Sequence, residues 1–357
     1  MTLATVGVPE QAEVDTTPVQ LNPGRIMETG MAFWPAKTLL AAVKLELFTV
    51  LDGTAYTAVE LGQKLGLHER GIYDFFDTLV ALGFLQRDGN GPAARYRNTE
   101  ETAVFLNKNR REYVGGLLEM ANDRLYPYWS DLEEALRTGQ PQNEIKHTGE
   151  PFFVELYADP DKLAQFIQAM TGIQMGNFIA LAQGFDFSAY DTVCDIGGAS
   201  GMLSIQLALH NDHLQCTTFD LLPVEPIAQR AIAQFGLSDR ITAVSGDFFI
   251  DAFPKADVII MGNILHDWNL DKKKLLIRKA YDALPEGGAL VAIENVIDDE
   301  RRHNAFGLMM SLNMLIELGD GFDYTAAQFD DWASEAGFRD TSIIPLTGHT
   351  SAVIAWK

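Results

Sequence analysis

Cysteine is scarce in this sequence, with two residues, Cys194 and Cys216, in a chain of 357. Both lie inside strand-like apolar runs, which argues against a disulfide-bonded scaffold and predicts two reduced, buried side chains, as in cytoplasmic proteins. Long apolar runs are also missing, and none approaches the roughly 18 residues of a membrane-spanning helix. The N-terminal segment has no basic stretch followed by an apolar one, so we expect no signal peptide.

Basic residues are few as well. Lysine and arginine total 27 against 49 aspartates and glutamates, which gives a formal net charge of −22. A surface this acidic repels phosphate backbones and anionic lipid headgroups, so neither nucleic acid nor a membrane is expected as a partner. Hydrophobic residues make up 47% of the chain, enough for a sizeable core, and the length suits two domains of ordinary size.

The chain divides into four regions by composition and apolar periodicity. Residues 1–24 are predicted to form a flexible tail, 25–111 a winged-helix-like domain, 112–181 a helical linker, and 182–357 a domain of alternating strands and helices. The last pattern indicates an open, mostly parallel sheet with helices on both faces, that is, a Rossmann-like α/β fold. The linker is rich in aromatic and methionine side chains that could line an apolar pocket.

The first domain has the order of a winged helix-turn-helix: two helices joined at Gly66 and Leu67, then a two-stranded wing with glycines at its tip. The would-be recognition helix, "LHERGIYDFFDTLVAL", carries Arg70 as its only lysine or arginine, beside three acidic residues. A helix that reads a DNA groove needs cations for the phosphates. We therefore predict a dimerisation domain, all-helical apart from its wing, rather than a DNA-binding domain.

A glycine-rich turn follows the first strand of the second domain, in "VCDIGGASG". Asp195 closes the strand, Gly197 and Gly198 make the turn, and Gly201 opens the next helix. Glycines at this place let a ligand approach the backbone closely, and in such sheets ligands bind at the carboxyl ends of the strands. A turn that serves only packing is the alternative interpretation.

Acidic residues at the ends of the next two strands make a ligand site more specific. Asp220, in "TTFDLL", suits the two hydroxyls of a ribose, and Asp247 and Phe248, in "SGDFF", suit an adenine amine and ring. Asp195 would repel a pyrophosphate seated on the turn and would favour a cation instead. These features predict a nucleoside with a cationic tail, S-adenosylmethionine, with NAD as the alternative cofactor.

The motifs "DIGGASG", "FDLLPV", "GDFF", "ILHDW" and "GFDYTAAQFDDWASEAGF" occur in an order that resembles the class I S-adenosylmethionine-dependent O-methyltransferases of the caffeate and acetylserotonin (hydroxyindole) type. The resemblance covers nearly the whole chain. It implies an N-terminal domain that interlocks two subunits, and hence a homodimer. The cofactor site that we predict from these motifs consists of Tyr157, Asp195, Gly197, Gly198, Gly201, Asp220, Leu221, Gly246, Asp247, Phe248 and Asn263.

His266, in "GNILHDWNLD", follows the fourth strand of this domain and should lie at the same edge of the sheet. A base, a metal ligand and a polar residue ending a strand are three roles open to it. Methyl transfer from a sulfonium to a neutral hydroxyl requires removal of a proton, which a neutral imidazole can accept. The resemblance implies two flanking acids, Glu294 and Asp323, whereas Asp267 is predicted to accept backbone amides.

Four positions depart from the family pattern. Asn263 stands where relatives often carry arginine or lysine, Asp323 where glutamate is usual, and Ala199 where a third glycine is frequent. The Ala199 change is expected to be mild. Tyr324 replaces an arginine and is expected to alter the rim of the acceptor site.

The sequence thus predicts a cytoplasmic, homodimeric O-methyltransferase that acts on a hydroxyl of a small aromatic substrate and releases S-adenosyl-L-homocysteine. His266, Glu294 and Asp323 are its predicted catalytic residues, and no metal is expected. One alternative is a C- or N-methyltransferase with a metal on His266 and Asp267, for which His303 is the nearest later histidine. Another is a non-catalytic protein that binds the cofactor or DNA.

Overall fold

The computed structural model describes residues 21–110, 112–149 and 152–357, so most of the predicted tail lies outside the described residues. The first helix begins at Gly24, one residue before the predicted start of the domain. The elements of the N-terminal domain are α1 (Gly24–Met31), α2 (Phe33–Lys44), α3 (Leu47–Val50), β1 (Tyr56–Thr57), α4 (Ala58–Lys64), α5 (Glu69–Ala81), β2 (Leu85–Asp88), β3 (Arg95–Asn98) and α6 (Glu100–Phe105).

The predicted wing is present as the antiparallel pair β2 and β3, and β1 adds a third strand on the other side of β3. The sequence analysis missed β1 because a strand of two residues has no periodicity. Thr57 and Glu60 form a capping box that starts α4. On α5, Arg70 is paired with Asp74 at 2.6 Å, so its charge is partly neutralised within the helix.

The predicted linker is helical throughout most of its described length. Its elements are α7 (Gly115–Met120), a π-helical turn (Ala121–Leu125), α8 (Tyr126–Tyr128), a 3₁₀ turn (Trp129–Asp131), α9 (Leu132–Thr138), α10 (Ile145–Thr148), α11 (Phe152–Ala158) and α12 (Pro160–Gly184). Helix α12 crosses the predicted boundary at 181/182. Its last turn packs Leu181 and Ala182 into the core of the second domain, so this helix is shared by linker and domain.

The second domain is built on a seven-stranded sheet, as its alternating pattern predicts. Its elements are β4 (Thr192–Ile196), α13 (Met202–His210), β5 (Gln215–Asp220), α14 (Glu225–Gln234), β6 (Ile241–Ser245), β7 (Val258–Gly262), α15 (Leu270–Ala283), β8 (Ala289–Glu294), α16 (Ala305–Leu318), α17 (Ala326–Ala336), β9 (Asp340–Pro345) and β10 (Ser351–Trp356). The strand order is β6-β5-β4-β7-β8-β10-β9. The first five strands are parallel, and β10 runs antiparallel to both of its neighbours.

Both faces of this sheet are covered, which explains the nearly continuous apolar runs of its central strands. Every residue of β8 is buried, as are four of the five residues of β7. Cys194 and Cys216 lie buried and unpaired in the neighbouring strands β4 and β5. In the described ranges, none of the helices combines the length and apolar character needed to cross a bilayer.

Candidate active site

The predicted site residues meet at one edge of the seven-stranded sheet. Asp195 lies in β4, Asp220 ends β5, Gly246 follows β6, Asn263 follows β7, and Glu294 ends β8. Because these strands are parallel, their carboxyl ends share an edge. Strand β4 lies between β5 and β7, so the order of strands along the chain reverses at this point, where α/β sheets bind ligands.

The glycine turn after β4 has no room for a side chain at its first two positions. Gly197 has a φ of +70°, and a Cβ atom added to it would clash with the side chain of Ile264. A Cβ atom on Gly198 would clash with the Thr218 hydroxyl. The turn therefore requires glycine at these two positions, because side chains of the protein already fill the space that a Cβ atom would need.

Asp220 ties the turn to the end of β5. Its carboxylate accepts hydrogen bonds from the backbone N–H groups of Ala199, at 2.8 Å, and Leu221, at 2.7 Å. Burial raises the pKa of Asp220 to about 6, although these amides and the Tyr157 hydroxyl oppose the rise by hydrogen bonding. Gly201 and Ala199 both adopt positive φ, +71° and +48°. This conformation costs alanine about 1 kcal/mol, and that the change from glycine is mild for cofactor binding stays a prediction.

Asp195 differs from its predicted state. It is buried, and one of its carboxyl oxygens has no hydrogen-bond partner among the described residues. Burial, helped by the charge of Asp220, raises the pKa of Asp195 to about 8. In the ligand-free protein Asp195 therefore keeps its proton at neutral pH, and the negative charge of the cofactor crevice comes from Asp220.

The motif after β6 forms a compact turn beside Asp220. Gly246 donates its N–H to the last residue of β5, at 2.9 Å. Asp247 accepts the N–H of Phe249 at 2.8 Å, which fixes the start of the turn. The Phe248 ring meets the Trp268 ring edge to face, with centroids 6.0 Å apart. This contact links the predicted adenine end of the site to the turn that carries His266.

Asn263 adopts a φ of +54°, a left-handed conformation that asparagine tolerates better than most residues. Its N–H donates to Ile293 at 3.0 Å, but its side-chain oxygen is buried with no partner among the described residues. Asp195 has a similar unpaired oxygen, and a Cβ on Gly198 would approach that oxygen to 2.8 Å. Unpaired buried polar atoms at the carboxyl ends of the strands lack partners that a polar ligand such as S-adenosylmethionine can supply.

His266 lies in a 3₁₀ turn, Leu265–Asp267, directly above these strand ends, and its side chain is buried. Its Nδ1 atom is 3.5 Å from a carboxylate oxygen of Glu294 and 3.5 Å from one of Asp323. The other Glu294 oxygen accepts the backbone N–H groups of Leu265, at 3.0 Å, and His266, at 3.3 Å. The structure thus brings the three predicted catalytic residues together, and Glu294 fixes the backbone of the turn while its second oxygen lies near the ring.

The charge state of His266 differs from the predicted neutral imidazole. Burial alone would lower its pKa, but the negative charges of the neighbouring carboxylates Glu294, Asp267 and Asp323 raise it to about 10. Without ligands, His266 therefore carries a proton at neutral pH. Burial also raises the pKa of Glu294, to about 7, so the protonation of this cluster is coupled.

Two residues near His266 lie elsewhere than predicted. Asp267 approaches the imidazole Nε2 at 3.3 Å instead of capping backbone amides, because the tight turn brings the adjacent side chains together. Tyr324 is buried against Phe329 and Trp332 beneath the site, so it does not form part of an acceptor rim.

The metal alternative depends on the same cluster. The potential ligand atoms of His266, Glu294 and Asp323 lie within 4.8 Å of one another. His303, by contrast, is exposed in a surface turn. The spacing of these atoms is compatible with a metal ion, so the expectation that no metal binds here stays a prediction.

Comparison with known proteins decides the family. A sequence model of the O-methyltransferase domain matches residues 129–339, and one of the O-methyltransferase dimerisation domain matches residues 27–108.

This chain belongs to the O-methyltransferase family.

Membership confirms the predicted S-adenosylmethionine-dependent O-methyltransferase with its Rossmann-like and dimerisation domains. The chain is 39% identical to TcmO of Streptomyces glaucescens, the 8-O-methyltransferase of tetracenomycin polyketide synthesis, over 94% of this chain and 97% of TcmO. It is 32% identical to the N,N-dimethyltransferase OxyT of Streptomyces rimosus, over 88% of this chain and 90% of OxyT. The crystal structure of human N-acetylserotonin methyltransferase with S-adenosylmethionine superimposes with a TM-score of 0.86 at 27% identity, over 96% and 99% of the two chains.

An aromatic residue of the linker contacts Trp268, directly after the Leu265–Asp267 turn that carries the predicted base His266. We refer to this turn of the O-methyltransferase as the catalytic turn. The Phe153 ring lies 5.8 Å from the Trp268 ring, measured between centroids. Trp129 donates its indole N–H to Asn313 on α16 at 2.8 Å. No helix was predicted at α16, because its own apolar residues occur on all sides and its sequence therefore lacks an amphipathic periodicity. The linker therefore contacts both Trp268 and α16, whereas an apolar acceptor pocket lined by its aromatic side chains stays a prediction.

Gly321 is a residue near the site that the sequence analysis missed. A Cβ atom on it would lie 2.7 Å from the carbonyl oxygens of both His266 and Asp267. The loop that carries Asp323 therefore packs directly on the backbone of the catalytic turn. The sequence signal that could have identified Gly321 is its position two residues before the predicted catalytic acid Asp323.

Gly321→Ala is expected to lower the free energy of unfolding by about 1–3 kcal/mol, because two backbone carbonyls must move to admit the methyl group. Gly71→Ala is the matched control. Gly71 lies in α5 with open space around its Cβ position, so alanine should stabilise by about 0.5 kcal/mol. Urea unfolding of the ligand-free proteins measures both changes. Equal midpoints for the two variants would contradict the close packing at Gly321.

Proposed function

We propose that this chain transfers the methyl group of S-adenosylmethionine to a phenolic hydroxyl of a fused-ring aromatic substrate, with His266 as general base. The observation that carries the proposal is the buried imidazole between Glu294 and Asp323 at the cofactor edge of the sheet. The relation to TcmO, named for polyketide 8-O-methylation, supports the substrate class. The aromatic contact between Phe153 and Trp268 supports a flat acceptor.

Cofactor binding is assigned, as part of this proposal, by the chemistry of each side chain. Asp220 is ionised at neutral pH and accepts the ribose hydroxyls, while Asp247 and Phe248 receive the adenine. Asn263 offers a buried, unpaired oxygen to the amino-acid end. Leu221 and Gly246 shape the backbone around Asp220.

Proton transfer in this proposal requires a neutral His266. When bound, the donor supplies an electrophilic methyl group on a positively charged sulfonium, which disfavours an imidazolium close by. The ring then releases its proton to solvent, and the neutral ring accepts another from the substrate hydroxyl as the new bond forms. Glu294 and Asp323 orient the ring and stabilise the imidazolium that results.

A homodimer is the second part of the proposal. Ile26, Met27, Phe33 and Trp34 expose large apolar side chains on α1 and α2, within the range matched by the dimerisation model or directly beside it. Exposed apolar surface of this kind is usually covered in an assembly. A cytoplasmic location is also proposed, supported by the two unpaired cysteines.

The substrate class is tested with purified protein, S-adenosylmethionine and a set of aromatic acceptors. We expect methyl ethers from a hydroxynaphthoate or larger fused-ring phenol, detected by mass spectrometry. The matched control is the same ring with its hydroxyl already methylated, which should give no product. Turnover of that blocked compound would contradict O-methylation.

N-methylation is the competing reaction, favoured by the similarity to OxyT. An aromatic amine with the same ring system distinguishes the two, because only N-methylation gives a methylated amine.

Metal assistance is tested by adding a chelator in a parallel assay. Loss of turnover that is restored by a divalent cation would favour metal assistance over the base mechanism.

A further inference from the structure

Lys273 is a fully buried lysine beneath the catalytic turn, and neither the sequence analysis nor the proposed reaction gives it a role. It lies on α15, with 0% of its surface exposed. Its ammonium donates a hydrogen bond to the carbonyl of Trp268 and lies 3.5 Å from the centroid of the Phe322 ring. Lysine is almost never fully buried unless its charge is compensated.

The compensation comes from the acids of the active site. The two contacts of Lys273 place it beside them, because Trp268 directly follows Asp267 and Phe322 directly precedes Asp323. The negative charges of Glu294, Asp323, Asp267 and Asp320 act on its ammonium. Burial lowers the pKa of Lys273 to about 8, and these four carboxylates limit the decrease. Lys273 therefore remains charged at neutral pH. In the described part of the chain, no carboxylate oxygen lies within 4.0 Å of the Lys273 ammonium. Its charge therefore acts on the acids around His266 together rather than on one paired acid.

The cluster needs a second cation whenever His266 is neutral. Three carboxylates surround the imidazole, at 3.3 to 3.5 Å, and they favour its protonated form. A base must give up that proton before it can accept one from a substrate. A fixed positive charge close to the carboxylates opposes the imidazolium and makes the neutral ring more accessible.

We propose that Lys273 is a positioning residue, which holds the His266–Trp268 turn through the Trp268 carbonyl and supplies the positive charge that allows His266 to become neutral. The inference rests on the proposed role of His266 as base. The ammonium of Lys273 contacts Trp268 and Phe322, and it acts on the reaction only through the charge of the cluster.

The test uses the full-length protein with two replacements of Lys273. Lys273→Met removes charge and hydrogen bond, whereas Lys273→Gln keeps a donor for the Trp268 carbonyl. Lys274→Met is the control, because Lys274 follows on the same helix but pairs with Glu335 at the surface. If Lys273→Met does not fold, Lys273→Gln serves for both measurements below.

The first measurement is kcat/KM against pH with the phenolic acceptor. At about pH 6.5 the wild type should exceed each Lys273 variant by about tenfold, the effect of one pKa unit on the neutral fraction of His266. The ratio should approach one by about pH 9.5, where wild-type Lys273 has lost its own proton. A purely structural role gives the same ratio at both pH values, and Lys274→Met should match the wild type throughout.

The second measurement is binding, without acceptor. S-adenosylmethionine and S-adenosylhomocysteine have the same shape apart from the methyl group, but only the former carries a sulfonium charge. Removing the Lys273 charge should raise the affinity for S-adenosylmethionine relative to S-adenosylhomocysteine by about threefold. An unchanged affinity ratio together with a pH-independent loss of activity would overturn the proposal. A raised affinity ratio with a pH-independent loss would uphold the charge of Lys273 and overturn the base role of His266.

Discussion

Replacing His266 with alanine is expected to lower kcat by about 10²–10⁴-fold, the usual contribution of a positioned general base. The imidazole is held between two buried acids, and no other histidine of the described residues lies in the cluster. Cofactor affinity should change by no more than about threefold, because the loss falls on the chemical step. The measurement is single-turnover methyl transfer, with S-adenosylhomocysteine binding determined in parallel.

The pH dependence of the His266→Ala variant provides a second criterion. In the wild type the rate should rise with pH, because the neighbouring acids raise the pKa of His266 and only the neutral ring accepts a proton. The variant should lose this rise. His303→Ala is the matched control, since His303 is exposed in a surface turn. Wild-type turnover by His266→Ala would contradict the base role.

Much of the fold could be predicted, because buried parallel strands leave a strong signal. Strands β7 and β8 are apolar runs that end at Gly262 and Glu294, and β8 is buried over its whole length. Parallel strands bring such ends to one edge. The proximity of Asp220, His266 and Glu294 therefore followed from their positions after apolar runs. Their identification as a possible methyl-transfer site depended on the family motifs as well.

The charge states of the site could not be predicted from the sequence, because they depend on burial in three dimensions. Asp195 and His266 both hold protons that ordinary pKa values would not give them at neutral pH. Lys273 is the clearest case. It stands in a run of three lysines, a pattern typical of a solvated helix face, yet its side chain is buried while Lys274 pairs at the surface. The two lysines differ in the side of α15 on which they lie: Lys273 contacts Trp268 beside the catalytic turn, and Lys274 lies at the surface.

Asp220→Ala is expected to weaken S-adenosylhomocysteine binding by about 10²-fold, since hydrogen bonds to a charged acceptor contribute about 1.5–3 kcal/mol each. The same change frees the backbone N–H groups of Ala199 and Leu221, so the glycine turn also loses its anchor. Titration calorimetry measures the affinity, and circular dichroism checks that the variant is folded. Asp239→Ala is the control, because Asp239 is exposed and belongs to none of the cofactor motifs.

The sign of the pH effect makes this prediction specific to the carboxylate. Burial raises the pKa of Asp220 to about 6, so the wild-type side chain gains a proton as the pH falls through that value. A protonated carboxyl accepts fewer hydrogen bonds, and wild-type affinity for S-adenosylhomocysteine should fall by up to about tenfold per pH unit below it. The Asp220→Ala variant lacks the titrating group, and its weak binding should depend less on pH. Parallel pH profiles for both proteins would show that another group governs cofactor binding and would remove the ribose role from Asp220.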